Sequence, residues 1–97
     1  MTKSIKELEP KAVWNYFAEL NAVPRPSKKE ERVIQFILDF GKQLNLPTNR
    51  DEVGNVIIKK PASKGMENRQ TVVLQSHLDM VHQKNAATVF DFDTQGI

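Results

Sequence analysis

Behind a polar lead-in, Val13, Phe17 and Leu20 recur at helical spacing with Trp14 beside them. That periodicity predicts a short amphipathic helix with its aromatics in the core, Pro10 in its first turn and its end before Pro24. Val23-Pro24-Arg25-Pro26-Ser27 reads as an extended connector, because each proline pushes the preceding residue out of helical conformation. Ser27 is then placed to cap a second helix, with Glu30 three residues on completing a capping box. Val33, Ile34, Phe36, Ile37, Leu38, Phe40 and Leu44 give that helix a broad apolar face reaching about Asn45, wide enough to imply packing on a sheet. Beyond Pro47, Thr48 to Glu52 and Val56-Ile57-Ile58 flank the turn signal Val53-Gly54-Asn55 and predict an antiparallel hairpin. Lys59 to Gln70 is polar, with glycine and proline, and predicts a surface loop. The apolar run Thr71-Val72-Val73-Leu74 predicts a buried strand, and the alternation Val89-Phe90-Asp91-Phe92-Asp93 a half-buried one. Helices and strands interleaved in this way place the chain in the α/β class.

The chemistry gathers at Gln75-Ser76-His77-Leu78-Asp79-Met80-Val81, where the predicted buried strand ends. In open α/β sheets ligands collect at the C-terminal ends of strands, where loops converge over the sheet. Strand side chains alternate between faces, so His77 and Asp79 point to one side and Leu78 to the other. A neutral imidazole is a common zinc ligand, and a neighbouring carboxylate either binds the same cation or holds the ring's other N–H. His82 is a second ligand by residue type, but it lies past the strand in a polar loop. Asp51 and Glu52 precede a glycine turn and read as turn residues. Asp91 and Asp93 read as an exposed strand face, and Glu30 and Glu31 as a solvated first helical turn.

Composition narrows the classes. Ninety-seven residues, 39% of them hydrophobic and 27% charged, allow one ordinary globular domain at most. The net charge of +2 is spread without a basic block or interleaved aromatics, so nucleic-acid binding gains no support. With no cysteine there is neither a disulfide framework nor a thiolate site. No stretch approaches the roughly 20 apolar residues of a membrane span, and Met1-Thr2-Lys3-Ser4-Ile5-Lys6-Glu7 lacks the apolar core of a signal peptide. The expectation is a soluble cytoplasmic chain.

Several stretches together are more specific than His-x-Asp. Arg25-Pro26-Ser27 followed by Glu30-Glu31, Arg50-Asp51-Glu52-Val53-Gly54-Asn55-Val56, Lys60-Pro61-Ala62, Gly65-Met66-Glu67-Asn68-Arg69 and Val73 to Val81 resemble the N-terminal part of the aminoacyl-histidine dipeptidases. These belong with the carnosinases and aminoacylases among the zinc-dependent exopeptidases. The resemblance covers nearly all of the chain.

It implies that residues 1–97 are the N-terminal part of a metallopeptidase catalytic domain, a mixed sheet flanked by helices with a two-zinc centre at the strand ends. On that basis His77 binds one zinc ion directly. Asp79 is the catalytic-site carboxylate that orients it, and Ser76 matches the small residue before the histidine. The family's metal-bridging aspartate, general-base glutamate, remaining ligands and lid domain have no counterpart here. The implied activity is hydrolysis of Xaa-His and other small dipeptides, with a homodimer of the full-length enzyme left open. One histidine cannot hold a catalytic zinc alone, so the chain by itself is expected to show no turnover and weak zinc binding. Two alternatives stand beside this: a related aminoacylase or carboxypeptidase activity, and a non-catalytic binding module with an unpaired sheet edge.

Overall fold

Pro10 stands immediately before the first α-helix, α1 (Lys11–Asn21), and its carbonyl accepts the N–H of Trp14 over 3.3 Å. A computed structural model describes residues 4–97; the lead-in residues 1–3, Met1-Thr2-Lys3, lie outside the described residues. A single 3-10 turn, Ile5–Glu7, precedes α1, capped by the Ser4 hydroxyl. The apolar face of α1 is only partly covered. Trp14, Ala18 and Leu20 are half-buried, whereas Val13, Tyr16 and Phe17 are exposed. The core expected from Val13 and Phe17 is therefore incomplete: Trp14 meets Phe17 edge-on at 5.8 Å, and Tyr16 meets Phe40 at 5.5 Å.

The second helix, α2 (Glu31–Gln43), starts three residues later than the capping box predicts. Glu30 is its cap, without a side-chain bond, and the Glu30 carboxylate instead accepts the N–H of Lys28, whose φ is +71°. Ser27 is engaged elsewhere. At the other end Leu46 N–H reaches the Gly41 carbonyl and Asn45 N–H the Lys42 carbonyl, both at 3.0 Å, with Asn45 at φ +58°. This Schellman arrangement satisfies two of the helix's last free carbonyls, and Pro47 prevents continuation.

Val33 and Ile34 are buried where α2 lies on an antiparallel hairpin of β1 (Thr48–Arg50) and β2 (Val56–Ile58). The register pairs Thr48 with Ile58, Asn49 with Ile57 and Arg50 with Val56. The hairpin is as predicted, except that β1 stops at Arg50. Asp51 takes over there: its carboxylate accepts Val53 N–H, Asn55 N–H and Asn55 Nδ2 at 2.8–3.0 Å. Those bonds shape the turn that Gly54 closes at φ +92°.

The two later predicted strands do not form. Thr71 to Leu74 makes no ladder with any described residue, and Val73 and Leu74 are 81% and 93% exposed. A strand apolar on both faces needs neighbours on each side, and the only sheet among the described residues is the hairpin. Val89 to Asp93 forms no ladder, and its end enters a turn over Asp91 to Gln95, in which the Asp91 carboxylate accepts the N–H of Asp93 and the Asp91 N–H donates to Gln95 Oε1. The radius of gyration is 16.4 Å, against about 12.5 Å for a compact chain of this length. The accessible surface is 8325 Å², where a monomer of this mass averages about 5,700 Å². Exposed apolar side chains along the extended segment, Val72, Val73 and Leu74 among them, add to that surface. No helix among the described residues is long and apolar enough to cross a membrane.

Candidate functional site

A set of long-range contacts to one short connector holds the His77 segment in place. The connector after α1 meets it at an isolated parallel bridge between Pro26 and Met80. Met80 N–H donates to the Arg25 carbonyl at 2.8 Å, and Ser27 N–H donates to the Met80 carbonyl at 3.3 Å. A parallel bridge uses the groups flanking the central residue, so Pro26, which has no N–H to give, costs nothing there. Arg25 adds a fork: Nη1 donates to the Leu78 carbonyl at 3.1 Å and Nη2 to Oδ1 of the buried Asn21 at 2.9 Å.

Within this frame His77 and Asp79 do come together. His77 Nδ1 lies 2.8 Å from the Asp79 carbonyl and 3.1 Å from Asp79 Oδ1. Both partners only accept, so Nδ1 carries the proton, and in the neutral ring the lone pair sits on Nε2. Nε2 has no hydrogen-bond partner among the described residues, and the side chain is 79% exposed. The second carboxylate oxygen, Asp79 Oδ2, accepts the Ser27 hydroxyl at 2.5 Å. That bond is the largest influence holding the Asp79 carboxyl below the usual aspartate range; partial burial opposes it, and the hydrogen bond and charge of His77 reinforce it.

The remaining candidates lie apart from this pair. Ser76 is exposed on the extended segment. His82 is edge-on to Phe92 with ring centres 6.3 Å apart. Asp93 pairs with Lys29 at 3.0 Å, and Asp51 serves its turn. Glu52 is exposed, and Glu31 forms an ion pair with Arg50 at 2.9 Å. Among the described residues no group of three His, Cys, Asp or Glu side chains could enclose a metal ion. The donors present fit one corner of a zinc site: a ring with Nδ1–H held by a carboxylate and Nε2 open.

From sequence Ser27 reads only as a helix cap and Arg25 only as a motif residue, and Asn21 carries no signal of its own. The faint signal for Ser27 is its place directly after Pro26, where an extended backbone can pair with another segment.

No protein-family profile matches the chain. It is 48% identical over 88 residues to the cytosol non-specific dipeptidase of Escherichia coli strain K12, an alignment covering 91% of this chain and 18% of that protein. Its structure superposes with a TM-score of 0.92 and 44% identity on the crystal structure of aminoacylhistidine dipeptidase from Vibrio alginolyticus, covering 98% of this chain and 19% of that one. The chain thus spans about a fifth of the length of these relatives. Related to them in sequence and in fold over nearly all of its own length, the chain belongs to the aminoacyl-histidine and cytosol non-specific dipeptidases as an α/β segment of that family.

Proposed function

We propose that this chain is the N-terminal part of a cytoplasmic, zinc-dependent dipeptidase acting on Xaa-His and other small dipeptides, and that it contributes one metal ligand, His77, and the carboxylate that orients it, Asp79. The observation that carries the reading is the double acceptor at His77 Nδ1, which directs Nε2 outward from a half-buried carboxylate. A zinc ion bound there would polarise a scissile carbonyl and acidify a water molecule. This chain's own residues do the positioning: Asp79 fixes the ring and its tautomer, and the Pro26–Met80 bridge fixes Asp79. The other ligands and the general base would come from the remainder of the enzyme. The segment Thr71 to Leu74 fits this role, since it has the sequence of an interior strand and has no pairing neighbour among the described residues. A stand-alone binding module is less well supported, because so much apolar surface on a free chain promotes association.

A chimera tests the proposal. The matched 88-residue stretch of the Escherichia coli relative is replaced by the corresponding residues of this chain, and hydrolysis of a Xaa-His dipeptide is measured with and without added zinc. Zinc-dependent turnover is expected, with His77→Ala removing it and Asp79→Asn lowering it about ten- to a hundredfold. A folded chimera whose turnover is indifferent to His77→Ala would rule the assignment out.

A further inference from the structure

Resting on the reading of His77 as a metal ligand, we infer that Ser27 is a positioning residue for it, locking the Asp79 carboxylate so that His77 is held as the Nδ1–H tautomer with Nε2 presented outward. His77 is too exposed for packing to set its ring, and both of its polar contacts are to Asp79. Whatever fixes residue 79 therefore fixes the imidazole. The backbone there is fixed by the Met80 bridge and by Arg25 on the Leu78 carbonyl. The carboxylate itself can still rotate about its side-chain torsions. Its Oδ2 is tied at 2.5 Å to the hydroxyl of Ser27, fifty-two residues earlier in the chain, which leaves Oδ1 facing His77.

The Ser27 hydroxyl is free for this task because it does not cap α2, which begins only at Glu31. Its place is set by its own N–H on the Met80 carbonyl, so one residue holds both the bridge and the carboxylate. The chain Ser27–Asp79–His77 thus extends the carboxylate–histidine pair by one further hydrogen bond, reaching into the connector between the two helices. Outer partners of this kind orient the groups that bind metal without touching it.

The tautomer of His77 is read directly by long-range proton–nitrogen NMR on the ¹⁵N-labelled 97-residue chain, without metal or substrate, well above the ordinary histidine pKa of about 6.5. His82, whose ring lies edge-on to Phe92 and has no hydrogen-bond partner among the described residues, provides the reference for a ring without such a carboxylate. In the wild type His77 is expected as Nδ1–H, unlike His82. Ser27→Ala moves it to the Nε2–H form that free histidine favours, while the Met80 amide remains protected from exchange. Ser27→Thr, which keeps the hydroxyl, restores the Nδ1–H form. A wild-type His77 that reads like His82, or an unchanged tautomer in Ser27→Ala, overturns the inference. So does loss of Met80 protection together with the tautomer, which would leave Ser27 only the bridge to hold. An inactive chimera would sink the dipeptidase reading while leaving these spectra as they are, so the two failures are distinguishable.

Discussion

Arg25 donates to the Leu78 carbonyl with one arm of its guanidinium and to the side chain of buried Asn21 with the other, at 3.1 and 2.9 Å. The end of α1 is thereby fastened to the peptide that precedes Asp79. A planar fork with two donors can serve both acceptors at once, which a lysine ammonium does less well from its flexible stem. Arg25→Ala should cost about 1–3 kcal/mol by leaving buried Asn21 unpaired, and Arg25→Lys should recover only part of it. Urea unfolding of the three proteins checks this. Equal midpoints for wild type and Arg25→Ala would show that the fork holds nothing.

Gly41 decides between two opposing effects. Alanine in a helix interior is ordinarily better than glycine by about 1 kcal/mol. Here β1 passes directly over the residue: an added Cβ would overlap Thr48 Oγ1 and come within 3.1 Å of Thr48 Cβ and Cγ2. Thr48 cannot readily swing away, because it is β-branched and its hydroxyl donates to the Leu46 carbonyl at 2.9 Å. Overpacking costs of about 1–3 kcal/mol then outweigh the propensity gain, so Gly41→Ala is expected to lower the thermal midpoint. A raised midpoint would mean that helix and hairpin are more loosely apposed than the structure places them.

The ion pair of Glu31 and Arg50 joins the start of α2 to β1. The hydrogen bond from Arg50, and then its charge, hold the Glu31 carboxyl below the ordinary glutamate range. The folded chain therefore binds that proton less readily than the unfolded chain. The contribution is complete above the unfolded pKa of about 4.3 and is lost as the pH falls through the lower folded value. Stability measured by urea unfolding between neutral and acid pH should fall more steeply for wild type than for Glu31→Gln. The difference should shrink in high salt, since both side chains are exposed. Parallel pH profiles at low salt would count against the pair.

The elements legible in the sequence are those whose signals are local. Pro10 and Pro47 bracket the helical region, the Val53-Gly54-Asn55 turn forms the hairpin, and the apolar face of α2 finds the hairpin beneath it. The pairing of His77 with Asp79 was also legible, because alternation along an extended chain puts both side chains on one side. What the sequence hid is long-range. Ser27 and Glu30 match a helix-cap pattern, yet the hydroxyl is captured by Asp79, whose approach depends on the whole path of residues 59–79. A local pattern lost to a tertiary partner carrying full charge. The run Thr71 to Leu74 failed differently: its composition is that of a strand, but a strand exists only with a partner for its backbone.

That run supplies a test whose sign depends on context. Val72, Val73 and Leu74 are exposed, uncharged and free of proline, and the Thr71 to Gln75 backbone N–H groups have no partner among the described residues. Such a stretch is a template for pairing between chains. The 97-residue chain should therefore self-associate as its concentration rises in sedimentation velocity, and Val73→Lys should shift it toward monomer. In the chimera the same segment would lie within a complete sheet, where a lysine becomes an unpaired buried charge costing several kcal/mol. Val73→Lys should there lower both thermal stability and turnover. If the substitution were harmless in the chimera, Thr71 to Leu74 would not be an interior strand of the enzyme, and the segment carrying His77 would have to be positioned by the Pro26–Met80 bridge and the Arg25 and Ser27 side-chain bonds beside it.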